Sequence, residues 1–156
     1  MNHTEESAQD LGLVFHHVGH VVRDRNAARE SYARLGFNAV SEATFDPLQR
    51  ATVEFISAGG ILVELIEPDG SDSPVARFAA SGGGLAHLCY RTADLDATTA
   101  LLRRRGFLPT AAAAPAAAFF HSRIAFFINA SGQVLELVEA KDDESLRITN
   151  VNARDA

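Results

Sequence analysis

Two histidines and two glutamates occupy matching positions in two copies of a repeated sequence. His17 and His87 lie near the start of the copies and are 70 residues apart, whereas Glu64 and Glu136 close the copies and are 72 residues apart. Imidazole nitrogens and carboxylate oxygens together bind divalent ions of intermediate hardness. A single strand histidine or glutamate is more often a core or surface group, but four at equivalent positions favour a shared site. The pattern therefore predicts one divalent metal ion bound by these side chains, with Zn, Ni, Co, Mn or Fe compatible.

Other matching positions define the elements that would carry these side chains. Asp24 and Asp94 each follow an apolar, β-branched segment and are suited to cap a helix, which Gly36 and Gly106 would end. Three shorter segments with strand character follow in each copy. The predicted order is β-α-β-β-β twice: strands at 13–22, 38–45, 51–58 and 61–67 with a helix at 26–35, then strands at 85–92, 107–110, 122–129 and 133–139 with a helix at 96–105.

The chain divides into five parts on this basis. They are a flexible N-terminus at 1–12, a first module at 13–68, a linker at 69–84 with a short helix near 73–80, a second module at 85–140 and a flexible tail at 141–156. The stretch TAAAAPAAAFF, at 110–120, is low in complexity and contains Pro115, which predicts a mobile loop. The expected fold class is α+β, with two paired βαβββ modules that form a metal-binding cleft.

The alternation of side chains along a strand predicts where the candidate ligands point. Successive residues of a strand face opposite sides of the sheet. The apolar neighbours of Glu64 and Glu136 are suited to pack under the helices, which leaves both carboxylates on the concave side with the two ligand histidines. The same rule directs His16 and His20 to the side opposite His17, so neither is expected to be a ligand. All four ligands converge if the two copies pair about a pseudo-twofold axis.

Composition narrows the class of protein. The chain has 156 residues, a net charge of −6 and a pI near 5.4, and it shows no basic face, so nucleic acid is not an expected partner. No apolar run reaches transmembrane length, and the acidic start MNHTEESAQD is unlike a signal peptide. Cys89 is the single cysteine, which excludes an intrachain disulfide and suits a packed thiol in a reducing compartment. These features predict a cytoplasmic protein that acts on a small molecule and not at a membrane.

Four segments give the chain a resemblance to a known family. HHVGHVVRD, VELIEPDGSDSPVARF, LAHLCYRTADLDA and QVLELVEA, between about residues 14 and 139, resemble the vicinal oxygen chelate (glyoxalase/bleomycin-resistance) superfamily and, within it, most resemble the methylmalonyl-CoA epimerase branch. The resemblance implies paired βαβββ modules around one divalent ion, with His17, Glu64, His87 and Glu136 as its ligands, and a homodimer. It also implies a small acyl substrate, such as an acyl-CoA or another acyl thioester.

One position departs from the epimerase pattern. In that branch a glutamate in a P-E-Q/H-G segment acts as an acid/base. Counting back from Glu64 places Leu48 at the position of that glutamate, between Pro47 and Gln49. A leucine side chain cannot transfer a proton, so an ordinary epimerase site is not expected: either another residue carries the proton or the reaction is different.

Candidates for the missing proton carrier and for substrate binding lie elsewhere in the chain. The catalytic candidates are Glu136 and Glu64, if one of them loosens from the metal, and His121. Asp46 is a further candidate, although an aspartate before a proline is more typical of a turn. The candidates for substrate binding are Gln49, beside the metal, and Arg91 and Arg123, because a planar guanidinium group pairs with a carboxylate or phosphate.

These residues support one leading hypothesis and several alternatives. The leading hypothesis is a metal-dependent enzyme that transfers a proton on an acyl or acyl-CoA substrate, as an epimerase or isomerase does, through a metal-stabilised enolate. A glyoxalase-type lyase or a biosynthetic tailoring enzyme is one alternative, and a non-catalytic small-molecule binding or resistance protein is another. Oxygen chemistry on Fe(II) is a further alternative, which the second carboxylate makes less favoured.

Overall fold

Two modules with the same order of elements make up most of the computed structural model, which describes residues 11–142 and residue 148. The first contains β1 (Val14–Val21), α1 (Arg25–Ala33), β2 (Asn38–Ala39), β3 (Thr44–Asp46), β4 (Ala51–Ala58) and β5 (Ile61–Pro68). A linker with α2 (Ala76–Ala80) leads to the second, which contains β6 (Gly84–Thr92), α3 (Leu95–Arg104), β7 (Leu108–Pro109), β8 (Ala114–Pro115), β9 (Arg123–Ile128) and β10 (Val134–Glu139). The flexibility predicted for 1–12 and 141–156 falls almost entirely outside the described residues. No helix in the described ranges is long and apolar enough to span a membrane.

The described strands form one mixed sheet. Its order is β2-β4-β5-β1-β6-β10-β9-β7, with β3 paired to β4 and β8 paired to β9. β1 and β6 pair antiparallel at the centre. Each of them also pairs in parallel with the closing strand of its own module, β1 with β5 and β6 with β10. The two modules are thus related by a pseudo-twofold axis between β1 and β6, and the predicted α+β class is confirmed.

The two longer helices begin and end alike because their sequences repeat. The carboxylates of Asp24 and Asp94 each accept a hydrogen bond, at 2.9 Å, from the backbone N–H three residues further on. Such a cap stabilises a helix by about 1 kcal/mol. Gly36 and Gly106 follow the helices with φ of 86° and 82°, a left-handed conformation that favours glycine. Both predicted caps and both predicted stops are therefore present.

The sheet has one face under the helices and another around the candidate site. Leu65 and Leu137, the sequence neighbours of Glu64 and Glu136, are fully buried in the clusters that pack against α1 and α3. Because side chains alternate along a strand, the two carboxylates point to the opposite face. That face is filled by a separate apolar cluster that includes residues from both modules, among them Val21, Phe55 and Phe119.

Two segments differ from the sequence prediction. The strand expected at 38–45 is two short strands, β2 and β3, which pair with different parts of β4. The mobile loop expected at 110–120 contains β8 and a 3-10 helix, Ala117–Phe119, in which Ala118 and Phe119 are buried. The small alanine side chains let this segment lie close to the sheet, and the Phe119 ring anchors it in the core. The prediction of mobility was therefore wrong, because low complexity did not mean lack of packing.

Candidate metal centre

The four candidate ligands lie side by side on the four central strands, β5, β1, β6 and β10. In the register of the sheet, Gly19 of β1 is opposite both Glu64 of β5 and His87 of β6. On β6, Cys89 is in turn opposite both His17 of β1 and Glu136 of β10. The pseudo-twofold relation therefore brings one His–Glu pair from each module to the same level of the sheet.

The ligand atoms of these four side chains meet in one buried cluster. Nε2 of His17 lies 3.2 Å from Oε2 of Glu64 and 3.3 Å from Oε2 of Glu136. Nε2 of His87 lies 2.9 Å from the same Glu136 oxygen, 3.6 Å from the Glu64 oxygen and 3.3 Å from Nε2 of His17. All four side chains are buried, and His17 has no exposed surface. The structure thus brings together the four residues that the sequence predicts as ligands.

The chemistry of this cluster suits a divalent cation. Four buried nitrogen and oxygen atoms, each able to share a lone pair, face one another. Oε2 of Glu136 is buried close to the Nε2 atoms of His17 and His87 but makes no well-aligned hydrogen bond with a described residue, so its lone pairs are incompletely satisfied. Protons on the imidazoles satisfy only part of the cluster, whereas one divalent ion would satisfy all four atoms at once. The side chains therefore fit a metal of the predicted kind.

Without a metal, the carboxylates hold protons on the histidines. Burial lowers the pKa of His87, but the Glu136 and Glu64 carboxylates together outweigh burial, and the pKa is raised to about 10. Burial likewise opposes the rise in the pKa of His17, which hydrogen bonds to Glu136 and Glu64 bring about. Burial would raise the pKa of the two glutamates, yet the histidines hold both pKa values below their usual range. A metal ion must therefore displace protons from the imidazoles.

Gly19 makes room for the ring of His87. A Cβ atom at position 19 would lie 2.1 Å from Cε1 of His87, far inside contact distance. The imidazole on β6 thus lies against the backbone of β1, and only glycine allows that approach. Cys89 occupies the equivalent position in the second module and is fully buried; burial, together with the Glu136 and Glu64 carboxylates, raises the pKa of its thiol well above the ordinary value. This agrees with the packed, unreactive thiol expected from the sequence.

A β-bulge in each opening strand changes the orientation expected for His16. The pairing of β1 with β6 shifts by one residue at His16 and again at Ala86, so each module has an extra residue just before its ligand histidine. The His16 ring consequently lies beside that of His17, with their Nδ1 atoms 2.8 Å apart. The prediction that His16 points away from His17 was wrong, because alternation fails at a bulge. His20 lies apart from both, with Nδ1 2.7 Å from the hydroxyl of Tyr32 on α1.

A cavity adjoins the cluster. Its volume is about 590 Å³ including the open mouth, and Glu64, His87 and Glu136 form part of its wall. The rest of the wall is largely apolar and includes Val21, Val53, Ile66, Val75, Phe119 and Phe126. The rings of Phe119 and Phe126 also contact the imidazoles of His17 and His87, with centroids 5.9 and 5.4 Å apart. A largely apolar wall with a few polar side chains suits a small organic ligand.

Two further polar side chains, Asp46 and Gln49, line the cavity. Oδ1 of Asp46 accepts hydrogen bonds from the backbone N–H of Leu48 and Gln49, and Oδ2 accepts one from Ala117 at 2.8 Å. Asp46 therefore holds a turn and joins the first module to the 3-10 helix of the second. The half-buried amide of Gln49 makes no hydrogen bond with another described residue. Leu48, which is 59% exposed, is not part of the wall.

The remaining candidate site residues lie away from this wall. The Arg123 guanidinium pairs with Glu139 at 2.8 Å and with Asp96 of α3 at 3.1 Å. The Arg91 guanidinium donates to the backbone carbonyls of residues 140 and 141. His121 is exposed and follows the 3-10 helix with a φ of 66°. None of the three lines the cavity, because His121 lies in the turn after the 3-10 helix and the two arginines are held by partners outside the wall. The structure therefore does not bring these three candidates together with the four clustered side chains.

Sequence comparison connects the chain to a large superfamily. The sequence profile of the Glyoxalase/Bleomycin resistance protein/Dioxygenase superfamily matches residues 16–127. The mitochondrial methylmalonyl-CoA epimerase of Homo sapiens is 32% identical over 101 residues, which cover 64% of this chain and 57% of the human protein. The match therefore spans little more than half the length of that relative.

Solved structures extend the similarity to both modules. The crystal structure of methylmalonyl-CoA epimerase from Mycobacterium tuberculosis matches with a TM-score of 0.71 and 29% identity, over 84% of this chain and 90% of that chain. A methylmalonyl-CoA epimerase in complex with methylmalonyl-CoA and NH4+ matches with a TM-score of 0.69 and 28% identity, over 82% and 94% of the two chains. These matches confirm the resemblance drawn from the four motifs. The chain belongs to the glyoxalase/bleomycin resistance protein/dioxygenase superfamily.

Proposed function

We propose that this protein is a divalent-metal-dependent enzyme that transfers a proton at the carbon next to the carbonyl of a small acyl or acyl-CoA substrate, as an epimerase or isomerase does. The observation that carries this proposal is the buried cluster of two histidines and two glutamates in the wall of an otherwise apolar cavity. The similarity to methylmalonyl-CoA epimerases, one of them solved with methylmalonyl-CoA, supports an acyl-CoA as the substrate class.

The four clustered side chains and the apolar wall have separate roles in this proposal. His17, Glu64, His87 and Glu136 would hold the ion. When bound, a divalent ion supplies Lewis-acid polarisation of a carbonyl oxygen. The apolar wall keeps water away from the reacting carbon, which strengthens the electrostatic interactions of the site. Gln49, whose amide lines the cavity, is suited to orient the substrate by a hydrogen bond.

Glu64 and Glu136 are the proposed proton carriers. They are the carboxylates of the cavity wall that are not already bound by backbone N–H groups, as Asp46 is. Glu64 lies on β5 and Glu136 on β10, so they reach the cavity from the two outer strands of the central four. Each would have to loosen from the ion for one to remove a proton and the other to return it on the opposite face, as epimerisation requires. If the residue that removed the proton also returned it, the result would instead be a glyoxalase-type rearrangement.

Incorporation of deuterium from solvent at C2 of an acyl-CoA tests this proposal. We expect a 2-substituted acyl-CoA to exchange its C2 proton with the metal-reconstituted protein and not with the metal-free protein. Glu136→Gln should slow exchange by about 10²-fold or more. Glu139→Gln is the matched control on the same strand, since Glu139 pairs with Arg123 outside the cavity. Binding of an acyl-CoA without any exchange would contradict an enzyme and favour a small-molecule binding protein.

We also propose that the protein forms a homodimer through its central strands. Phe15 of β1 and Leu85 and Leu88 of β6 are 49%, 70% and 36% exposed, which is unusual for apolar residues at the middle of a sheet. Covering these side chains would remove apolar surface from water. Sedimentation velocity should therefore show a dimer that Leu85→Glu converts to a monomer, and a monomeric unsubstituted chain would contradict the proposal.

A further inference from the structure

We infer that the acyl group that enters this cavity is uncharged, so that the substrate is a neutral 2-substituted acyl thioester and not a malonyl-type thioester with its own carboxylate. The inference rests on the proposed function and narrows its substrate class. It follows from three properties of the cavity: the absence of a cationic side chain, the charge of the ligand cluster and the apolar character of the remaining wall.

No lysine or arginine of the described residues lines the cavity. Arg50 is next to wall residues in the sequence, and Arg91 and Arg123 are the predicted substrate-binding arginines. All three have partners outside the cavity wall. Arg50 pairs with Asp72 at 3.2 Å, Arg123 pairs with Glu139 and Asp96, and Arg91 donates to backbone carbonyls. A substrate carboxylate would therefore find no guanidinium or ammonium group in this wall to replace the water that it loses on binding.

The ligand cluster provides no surplus positive charge either. When both imidazoles are neutral, Glu64 and Glu136 balance the charge of one divalent ion. Asp46 is a third carboxylate in the same wall and is 97% removed from solvent, with a relative exposure of 3%. A fourth carboxylate, from the substrate, would add negative charge to a cavity of low polarity, where like charges repel more strongly than in water. A neutral carbonyl group carries no such cost.

The rest of the wall matches an apolar substituent. Phe119 and Phe126 lie next to the ligand histidines, and Val21, Ile66 and Val75 extend the surface. Gln49 is the remaining hydrogen-bonding side chain, because the oxygens of Asp46 are occupied by backbone N–H groups. The lining therefore matches a substrate that has a neutral carbonyl near the ligand cluster and an apolar group at C2. Gln49 would donate or accept one hydrogen bond.

A pair of thioesters that differ in charge but hardly in shape tests this inference. 2-Methyl-3-oxobutanoyl-CoA carries a methyl ketone where methylmalonyl-CoA carries a carboxylate, and the CoA portion is the same. Calorimetry on the Zn²⁺-loaded full-length protein should show about tenfold tighter binding of the ketone, equivalent to about 1.4 kcal/mol. Equal binding, or tighter binding of methylmalonyl-CoA, would overturn the inference.

Two substitutions sharpen the test. Val75→Arg places a cation in the cavity wall and should shift the affinity ratio toward methylmalonyl-CoA by about tenfold. Val75→Met adds bulk without charge and should leave the ratio close to that of the unsubstituted chain. Arg147→Ala removes a cation that lies outside the described residues, and the affinity ratio of the two thioesters should again stay unchanged. A ratio that does not respond to Val75→Arg, or that shifts toward the ketone in Arg147→Ala, would contradict the inference.

The failure of this inference can be distinguished from failure of the proposed function. If methylmalonyl-CoA binds more tightly and exchanges its C2 proton, the substrate class is wrong but the proton-transfer function stands. If the ketone binds more tightly but neither thioester exchanges a proton faster than with Glu136→Gln, the substrate class stands and the catalytic proposal is wrong. If neither thioester binds, both are wrong.

Discussion

On β1, the imidazole of His16 contacts that of His17, one of the four proposed metal ligands. When Nε2 of His17 binds an ion, the proton of the neutral ring is on Nδ1, which can then donate to Nδ1 of His16, 2.8 Å away. A partner of this kind orients a ligand histidine and strengthens its bond to the metal. We therefore expect His16→Phe to lower the affinity for Zn²⁺ by about tenfold or more, as measured by competition with a chromophoric chelator.

Two further histidine variants distinguish an orienting effect of His16 on His17 from a general effect on the stability of β1. His16→Gln keeps a hydrogen-bond acceptor and should retain most of the affinity. His20→Phe removes a histidine of the same strand that contacts Tyr32 and not the cluster, so it should leave the affinity unchanged. Equal losses in His16→Phe and His20→Phe would show that His16 acts only through the stability of β1.

Gly19 is predicted to matter through His87 alone. Alanine at position 19 would place Cβ 2.1 Å from the His87 ring, so the ring must move, at a cost of about 1–3 kcal/mol to the free energy of unfolding. In a His87→Ala background the obstacle is gone, and Gly19→Ala should then be neutral or stabilising by up to about 1 kcal/mol. Urea unfolding of the metal-free single and double variants measures this coupling. A loss of stability that persists without His87 would contradict the steric explanation.

The positions of some of these residues could be predicted from the sequence, and those of others could not. Duplication revealed the four candidate ligands, since His17 and Glu64 each have a counterpart at the same position of the second copy. His16 was oriented wrongly because a β-bulge adds one residue without any local signal in the sequence. The contact between Gly19 and His87 could not be predicted, because it depends on how two distant strands pair.

The Asp46 carboxylate links the turn after β3 in the first module to the 3-10 helix of the second. It holds the turn through two hydrogen bonds and accepts a third from Ala117 of the 3-10 helix. Asp46→Ala would remove the acceptor of three partly buried N–H groups, so we expect a loss of about 1–3 kcal/mol in the free energy of unfolding. Hydrogen exchange at residues 116–122 should become faster than in the unsubstituted chain, because the 3-10 helix loses its link to the first module.

The exposed ion pair between Arg50 and Asp72 offers a control for this prediction. Asp72→Ala removes a carboxylate near the same turn, but exposed pairs contribute about 1 kcal/mol or less. Exchange at residues 116–122 should therefore stay unchanged in Asp72→Ala. Faster exchange in both variants would mean that the segment responds to any loss of stability in the first module.

The elements themselves were largely predictable where local chemistry decides them. Asp24 and Gly36 mark the ends of α1, and their counterparts mark the ends of α3, because caps and left-handed stops depend on residues close in sequence. The segment at 110–120 was not predictable in this way. Its order depends on a hydrogen bond to Asp46 and on the burial of Phe119, both of which arise only when the two modules pack together.

The whole molecule should respond to pH through its ligand cluster. The pKa of His87 in the folded, metal-free protein is about 10, above the ordinary value of 6.5, so its contribution to stability is complete below about pH 6.5 and is lost as the pH rises through 10. Glu64 and Glu136 have lowered pKa values, so their contribution is complete above about pH 4.5 and is lost as the pH falls through those lower values. The metal-free protein should therefore lose stability from pH 6.5 toward pH 10.

A bound divalent ion should oppose this loss. It replaces the protons that the glutamates hold on His17 and His87, so protons compete with the metal less as the pH rises. Because a ligand of the folded state raises stability according to its affinity, the increase in Tm on addition of Zn²⁺ should grow from pH 6 to pH 9. Thermal unfolding with and without Zn²⁺ across this range provides the measurement, and His121→Ala, which changes an exposed histidine outside the cavity, should give the same profile. A Tm increase that stays constant over this range would show that the metal does not bind by displacing protons from these histidines.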